Sequence, residues 1–211
     1  MNSPNSVVKG PRVTIRPMRE HDLDIMSAWP ASQDPLYRLF DWPRRSTVDN
    51  EIWFSTLTND KTRLYYAVED ECHAVIGRIS LREIWGRHSA RLGIGLGTEY
   101  VSHGYGTEAL QVFLRHYFDD LGFERMVLDV SAINIRAVRC YERCGFRYVG
   151  SHYEYIGTDE EMAFMKEERY QNLRRFLRRR NQGNWALSYD MALEKAEWLR
   201  RESLRSEVNA R

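Results

Sequence analysis

The chain has 211 residues, 43% hydrophobic and 29% charged, with a formal net charge of +1. That profile suits one globular domain that can bury a core without disulfides or a metal. It excludes a disordered chain and gives no whole-chain attraction to nucleic acid or anionic membrane. Met1 to Gly10 are polar, no apolar run approaches a membrane span, and the cysteines (Cys72, Cys140, Cys144) are few and odd in number. A reducing, cytoplasmic setting with no membrane contact and no metal site is therefore expected.

In chain order, Val13–Met18 alternates and is β-branched, so it predicts a first strand. Asp22–Trp29 predicts a short helix stopped by Pro30. Pro30–Arg45, with Tyr37, Phe40 and Trp42, reads as an ordered loop, and Ser46 or Thr47 caps a helix running to about Leu57. Leu64–Glu69, Val75–Ile84 and Ala90–Gly97 predict three strands of a meander. Thr107–Leu121 has helical apolar spacing (Leu110, Phe113, Leu114, Tyr117, Phe118) and ends at Gly122. A strand (Arg125–Val130), a helix (Ala137–Arg143), a strand (Phe146–Ile156) and a last strand (Trp185–Leu193) follow. Antiparallel strands first and an alternating unit afterwards predict a mixed α/β fold with a mostly antiparallel central sheet. Thr158–Asn184 runs from acidic to basic. With Met162, Met165, Leu173, Phe176 and Leu177 on one face, it predicts an inserted amphipathic helix.

Gly104-Tyr-Gly-Thr-Glu-Ala109 lies between a strand and a helix. Glycines there admit a phosphate close to the backbone, and the free N–H groups of the first helical turn point at it. The alternative is a plain tight turn. A P-loop would need Gly-Lys-Ser/Thr, but Thr107 and Glu108 follow the second glycine. The dinucleotide form Gly-x-Gly-x-x-Ala fits, with Asp129 at a later strand end. Yet polar Thr98–His103 separates the loop from its strand, and antiparallel strands precede it. Leu92-Gly-Ile-Gly-Leu-Gly97 puts a glycine at every second position of a strand. That face must stay flat, for a ligand or for a close neighbour.

Asn134-Ile-Arg-Ala-Val-Arg-Cys-Tyr-Glu-Arg-Cys-Gly-Phe146 completes the pattern. Together with Gly104–Ala109 it resembles the GNAT acetyltransferase superfamily. Asn134, Ala137, Tyr141, Gly145 and Phe146 match that family's Asn-x-x-Ala-x-x-x-Tyr-x-x-x-Gly-Phe element position by position. The family's opening Arg or Gln of the glycine loop is replaced by Val101, and that feature, with Tyr189–Trp198, resembles the branch of ribosomal-protein N-terminal acetyltransferases. The resemblance spans about Val13–Gly150 and implies a sheet splayed where acetyl-CoA enters. Acetyl would pass to a primary amine, of a small molecule or a peptide N-terminus, by direct attack in a ternary complex.

The same resemblance assigns roles. Backbone N–H groups near Leu96 would hold the thioester, and those of Val101, Ser102, His103, Gly104, Tyr105, Gly106 and Thr107 the pyrophosphate. Asn134 would contact the pantetheine arm, and Tyr141 would protonate the departing thiolate. Direct attack needs an ammonium deprotonated, an oxyanion stabilised and a thiolate protonated. Related enzymes carry an acid where Arg91 stands, so the base stays open among Glu83, His88, Glu99 and Ser131, a water chain, or an amine already neutral. Arg174–Arg180 reads as a solvated face paired with carboxylates. A nucleic-acid surface is the other reading, but no recognised module accompanies it. A non-catalytic acyl-CoA-binding module is the alternative to an enzyme. Acceptor choice is expected in Pro30–Arg45 and Thr158–Asn184, the latter serving as a lid or a homodimer contact.

Overall fold

The structure, a computed structural model, describes residues 6–181 and 183–209. Among these residues nine strands form one sheet in the order β1-β2-β3-β4-β5-β6-β9-β7, with β8 paired to β9. The strands are β1 (Val8–Lys9), β2 (Thr14–Pro17), β3 (Leu64–Glu69), β4 (Val75–Trp85), β5 (Ser89–Leu96), β6 (Arg125–Ser131), β7 (Arg147–Thr158), β8 (Leu177–Arg180) and β9 (Gly183–Glu194). Every neighbouring pair is antiparallel except β5 and β6. The mixed, mostly antiparallel α/β fold is the one expected.

The parallel pair defines the molecule. Its register covers Ser89–Arg91 against Arg125–Val127 and then stops, so the remainder of β5 diverges from β6. Arg91 fastens the closed end, donating to Glu83 of β4 and Asp129 of β6 at 2.8 Å each. Asp129 is thus part of an ion pair between strands, and the antiparallel surroundings leave no dinucleotide unit.

The helices are α1 (Glu20–Ser27), α2 (Pro35–Arg38), α3 (Thr47–Asn59), α4 (Tyr105–Arg115), α5 (Ile135–Cys144) and α6 (Lys195–Asn209). Strand alternation sends Ile79, Leu81 and Leu92 to one face, where they meet Leu110, Phe113 and Leu114 of α4. The opposite face carries Met18, Leu23, Met26, Ala67 and Val75, with Trp29, Trp42, Trp53 and Tyr65 against them. Ser46 caps α3 in a capping box with Asp49, as its sequence implied. Beyond Arg115 the α4 chain widens into a π-turn over His116–Asp120, and Gly122 then turns it at φ +74°.

One expectation needs correction. Thr158–Asn184 is not an amphipathic α-helix. Ala163–Lys166 and Glu168–Phe176 are 3-10 segments, and β8 then pairs with β9. Its apolar residues are nonetheless buried within the chain: Met162, Met165, Tyr170 and Leu173 pack with Leu36 of α2, Ile133 and Ala186. The apolar face therefore needs no second subunit to cover it. The basic run is also engaged: Arg174 donates to the carbonyls of Met165, Lys166 and Glu167, Arg179 pairs with Asp159, and Arg178 lies over Tyr153. Beyond the last strand, α6 packs back on the core. Its Trp198 is buried and stacks on Phe118 at 5.2 Å.

Candidate active site

The splay between β5 and β6 opens a cleft of about 410 Å³. Its walls are Ile94–Leu96 of β5, the loop into α4, and the exposed side of α5. Gly104 precedes α4 at φ +88°, a left-handed conformation that suits glycine, and no side chain caps the helix. The first-turn N–H groups are therefore presented by a loop without a cap. At Gly106 a Cβ would stand 3.3 Å from Leu96 Cδ1, so the glycine keeps β5 and α4 in close approach.

The element Asn134–Phe146 is a helix with both of its ends specified. Asn134 Oδ1 accepts from Ala137 N at 3.3 Å, capping the start. At the end, Gly145 N–H donates to the Glu142 carbonyl at 3.0 Å and Phe146 N–H to the Tyr141 carbonyl at 3.1 Å, with Gly145 at φ +102°. The spacing of asparagine, tyrosine, glycine and phenylalanine is thus the length of one capped helix. It fixes Tyr141 on the cleft side, buried and edge-on to Phe146 at 5.8 Å. Burial pushes the Tyr141 phenol well above its ordinary range, so it stays protonated near neutrality.

Of the residues singled out in the sequence, Leu96, Val101, Ser102, Gly104, Gly106, Thr107, Asn134 and Tyr141 line this cleft. The side chains of His103 and Tyr105 do not. The His103 carbonyl accepts from Arg12, whose guanidinium lies 4.7 Å from the Tyr105 ring centroid, and the Tyr105 hydroxyl donates to Glu71 at 3.3 Å. Only their main chain can face an anion. None of Glu83, His88, Glu99 or Ser131 lines the cleft. Glu83 is held by Arg91, and His88 is exposed against Trp85.

Several lining residues went unforeseen. Arg136, Arg139 and Arg143 stand on the exposed side of α5, and Arg136 reaches across to the ring of Tyr37 at 3.3 Å. Their i, i+3, i+7 spacing was visible in the sequence. Cys140 shares a 3.4 Å hydrogen bond with Thr107, and its thiol is brought down to about 7 by a hydrogen bond from Cys144, with Thr107 and Arg143 assisting against burial. Asp41 also borders the cleft, accepting from Ser32 N at 2.7 Å and Ser32 Oγ at 2.6 Å. Nothing local in the sequence marks it.

On the other face of β5 lies a second cavity, of about 350 Å³, walled by Trp42, Trp53, Tyr65, Arg45, Arg78 and Arg82. The two spaces share Phe40, Asp41, Gly95 and Leu96. The alternating glycines belong here. A Cβ on Gly93 would stand 2.6 Å from Ser80 Oγ, and one on Gly95 would stand 3.8 Å from Arg78 Nε.

The chain matches the family model described as acetyltransferase (GNAT) domain over residues 12–147. It is 26% identical over 165 residues to a spermidine N(1)-acetyltransferase of Vibrio cholerae, covering 78% of this chain and 91% of that protein. Its fold is similar to the crystal structure of spermidine N-acetyltransferase from Vibrio cholerae in complex with CoA and spermine (TM-score 0.67, 21% identity, 90% of this chain and 99% of that one). It is also similar to a GCN5-related N-acetyltransferase from Brucella melitensis (TM-score 0.66, 21% identity, 92% and 80%). The relatives named for a substrate are spermidine N-acetyltransferases, so they do not represent the narrower branch drawn from Val101 and the C-terminal segment. Among the described residues no helix is long and apolar enough to cross a membrane. With the family model covering well over half its length, the chain belongs to the GNAT acetyltransferases, and it is an N-acetyltransferase that takes its acetyl group from acetyl-CoA.

Proposed function

We propose that acetyl-CoA enters through the β5–β6 splay, that a small primary amine enters from the tryptophan-lined cavity, and that the two meet at Gly95–Leu96. The observation that carries this is the sharing of those two residues by both cavities. A direct transfer needs its reactants in contact from opposite sides of one point.

In this reading the main-chain N–H groups from Val101 to Thr107, helped by the α4 dipole, hold the pyrophosphate, and the α5 arginines add positive charge beside it. The Gly106 face fits, since a side chain there would fill the approach. Asn134 keeps its amide N–H₂ for the pantetheine arm while its oxygen caps α5. The main chain at Leu96 orients the thioester. Tyr141 gives its proton to the departing sulfur, a role suited to a phenol that burial keeps protonated. Asp41 is the carboxylate bordering both cavities, and it receives the ammonium and its proton. The polyamine named for the Vibrio cholerae relative is one acceptor to test, and a peptide N-terminus is another.

Thiol release from acetyl-CoA, followed over a panel of small amines, polyamines and short peptides, tests the assignment. Turnover with at least one small amine is expected. Tight acetyl-CoA binding with no amine-stimulated thiol release across the panel would contradict it.

A further inference from the structure

The second cavity carries more charge than an amine alone requires. We propose that it selects a small acceptor bearing an oxyanion, a carboxylate or a phosphate, beside its amine, and that it disfavours polyamines. The proposal rests on the acetyl-transfer reading above and names its substrate class.

The cavity's volume of about 350 Å³ is that of a small-molecule site. Arg78 and Arg82 lie four apart on β4 and so share one strand face, and Arg45 joins them from the far end of the Pro30–Arg45 loop. Arg63 also borders the space, but it is committed to Asp60 at 2.8 Å. Among the described lining residues Asp41 is the one carboxylate, and the reading above assigns it to the reacting amine, so none is left for a second ammonium. A polyamine would thus bring further positive charge against three guanidinium groups, and like charges brought together penalise the wrong ligand.

Aromatic rings account for how the cations are held, though not for what they donate to. Arg45 lies 5.1 Å from the Trp42 ring and 5.0 Å from the Trp53 ring, and Arg78 lies 4.6 Å from Trp42. Stacking engages the guanidinium face and leaves the in-plane N–H groups to donate. Among the described residues Arg45 Nη1 is buried with no hydrogen-bond partner. A buried donor left in this way is costly, and an incoming oxyanion completes it. Arg78 donates within the protein to Ser80 Oγ, at a long 3.4 Å. Desolvation lowers its guanidinium to about 10, and Arg82 and Arg45 add repulsion that an anion would relieve. Carboxylate and phosphate match the planar donor fork of arginine. Gly93 and Gly95 leave the floor of the cavity free of side chains, so such a molecule can lie along β5 with its amine toward Leu96.

The test uses the full chain loaded with CoA. Calorimetry measures binding of small amines bearing a carboxylate, small amines bearing a phosphate, and spermidine, and thiol release from acetyl-CoA is followed with the same amines. At least one oxyanion-bearing amine is expected to bind tenfold or more tighter than spermidine. Arg45→Gln and Arg82→Gln should each weaken that binding at least tenfold while CoA affinity stays unchanged. The carboxylate and phosphate arms identify which oxyanion the site takes. Equal or tighter binding of spermidine, no binding of any oxyanion-bearing amine, or indifference to both substitutions overturns the proposal. Binding of the anionic amine without thiol release from any amine would support the site and count against the transfer reading instead.

Discussion

The phenol of Tyr170 donates a hydrogen bond to the carboxylate of Asp34, a residue 136 positions earlier. The same Asp34 oxygen caps α2 through the Leu36 N–H at 3.0 Å. The late 3-10 segment therefore grips the short helix that presents Tyr37 at the cleft. Tyr170→Phe should loosen α2 without opening the cleft from acetyl-CoA. The expected result is a several-fold rise in acceptor KM with acetyl-CoA affinity unchanged. Steady-state kinetics beside calorimetry would show it, and a parallel loss of both would place Tyr170 in the general core.

Gly106→Val tests the phosphate loop. A first side-chain carbon already stands 3.3 Å from Leu96 Cδ1, and a branched one adds bulk where the anion should approach. Acetyl-CoA binding should weaken more than tenfold, about 1.4 kcal/mol or more. Circular dichroism confirms that the variant is folded. A folded variant with native affinity would remove the loop from the binding site.

Tyr141→Phe should lower kcat on the order of a hundredfold and leave acetyl-CoA affinity nearly constant, because the lost interaction is made only during chemistry. The phenol is shifted upward by burial, so its acid form persists as pH rises through neutrality. An alkaline decline in kcat between pH 7 and 9 would then have to arise from another group. Equal turnover in the two forms would leave Tyr141 a packing residue.

Cys140 sits in the cleft with its thiol near 7, lowered by the Cys144 hydrogen bond first. Its thiolate fraction should grow as pH rises through that value, so alkylation by iodoacetamide should speed up about tenfold from pH 6 to pH 8. CoA should protect it, while exposed Cys72 should react whether or not CoA is present. Peptide mass mapping separates the two, and an unprotected Cys140 would place the ligand elsewhere.

Arg16 is buried between Asp22 and Glu69, donating at 2.7 and 2.8 Å to the first and 2.6 Å to the second. Arg16→Ala leaves both carboxylates buried without their cation, which costs about 3–5 kcal/mol. Urea unfolding should show that loss, and a change below about 1 kcal/mol would mean that water replaces the guanidinium.

The features that were legible in the sequence are those written by local rules. Gly104 with Gly106, and the spacing from Asn134 to Phe146, encode a helix start and a doubly capped helix, so their geometry follows from a dozen residues. Strand alternation and the Ser46 cap are equally local. Thr158–Asn184 misled because its apolar residues approximate helical spacing. Their partners, Leu36 and Ile133, lie far away in sequence and hold the segment in 3-10 form instead. The arginine cavity was illegible for the same reason. Arg78 and Arg82 show their shared strand face, but Arg45 and the tryptophans reach it only through folding.

The short pairing of β5 with β6 has a mechanical consequence. Among the described residues the strand ladder joining β1–β5 to β6–β9 runs only over Ser89–Arg91 and Arg125–Val127, with the Arg91–Asp129 bond beside it. A molecule lodged in the seam grips both halves and acts as a removable rivet. Resistance to heat should then track how full the seam is. Ligand at a hundredfold its Kd adds about 2.7 kcal/mol, since it binds the folded chain and not the unfolded one. In a starved cell, loss of the co-substrate would leave the protein idle and also easier to pull apart.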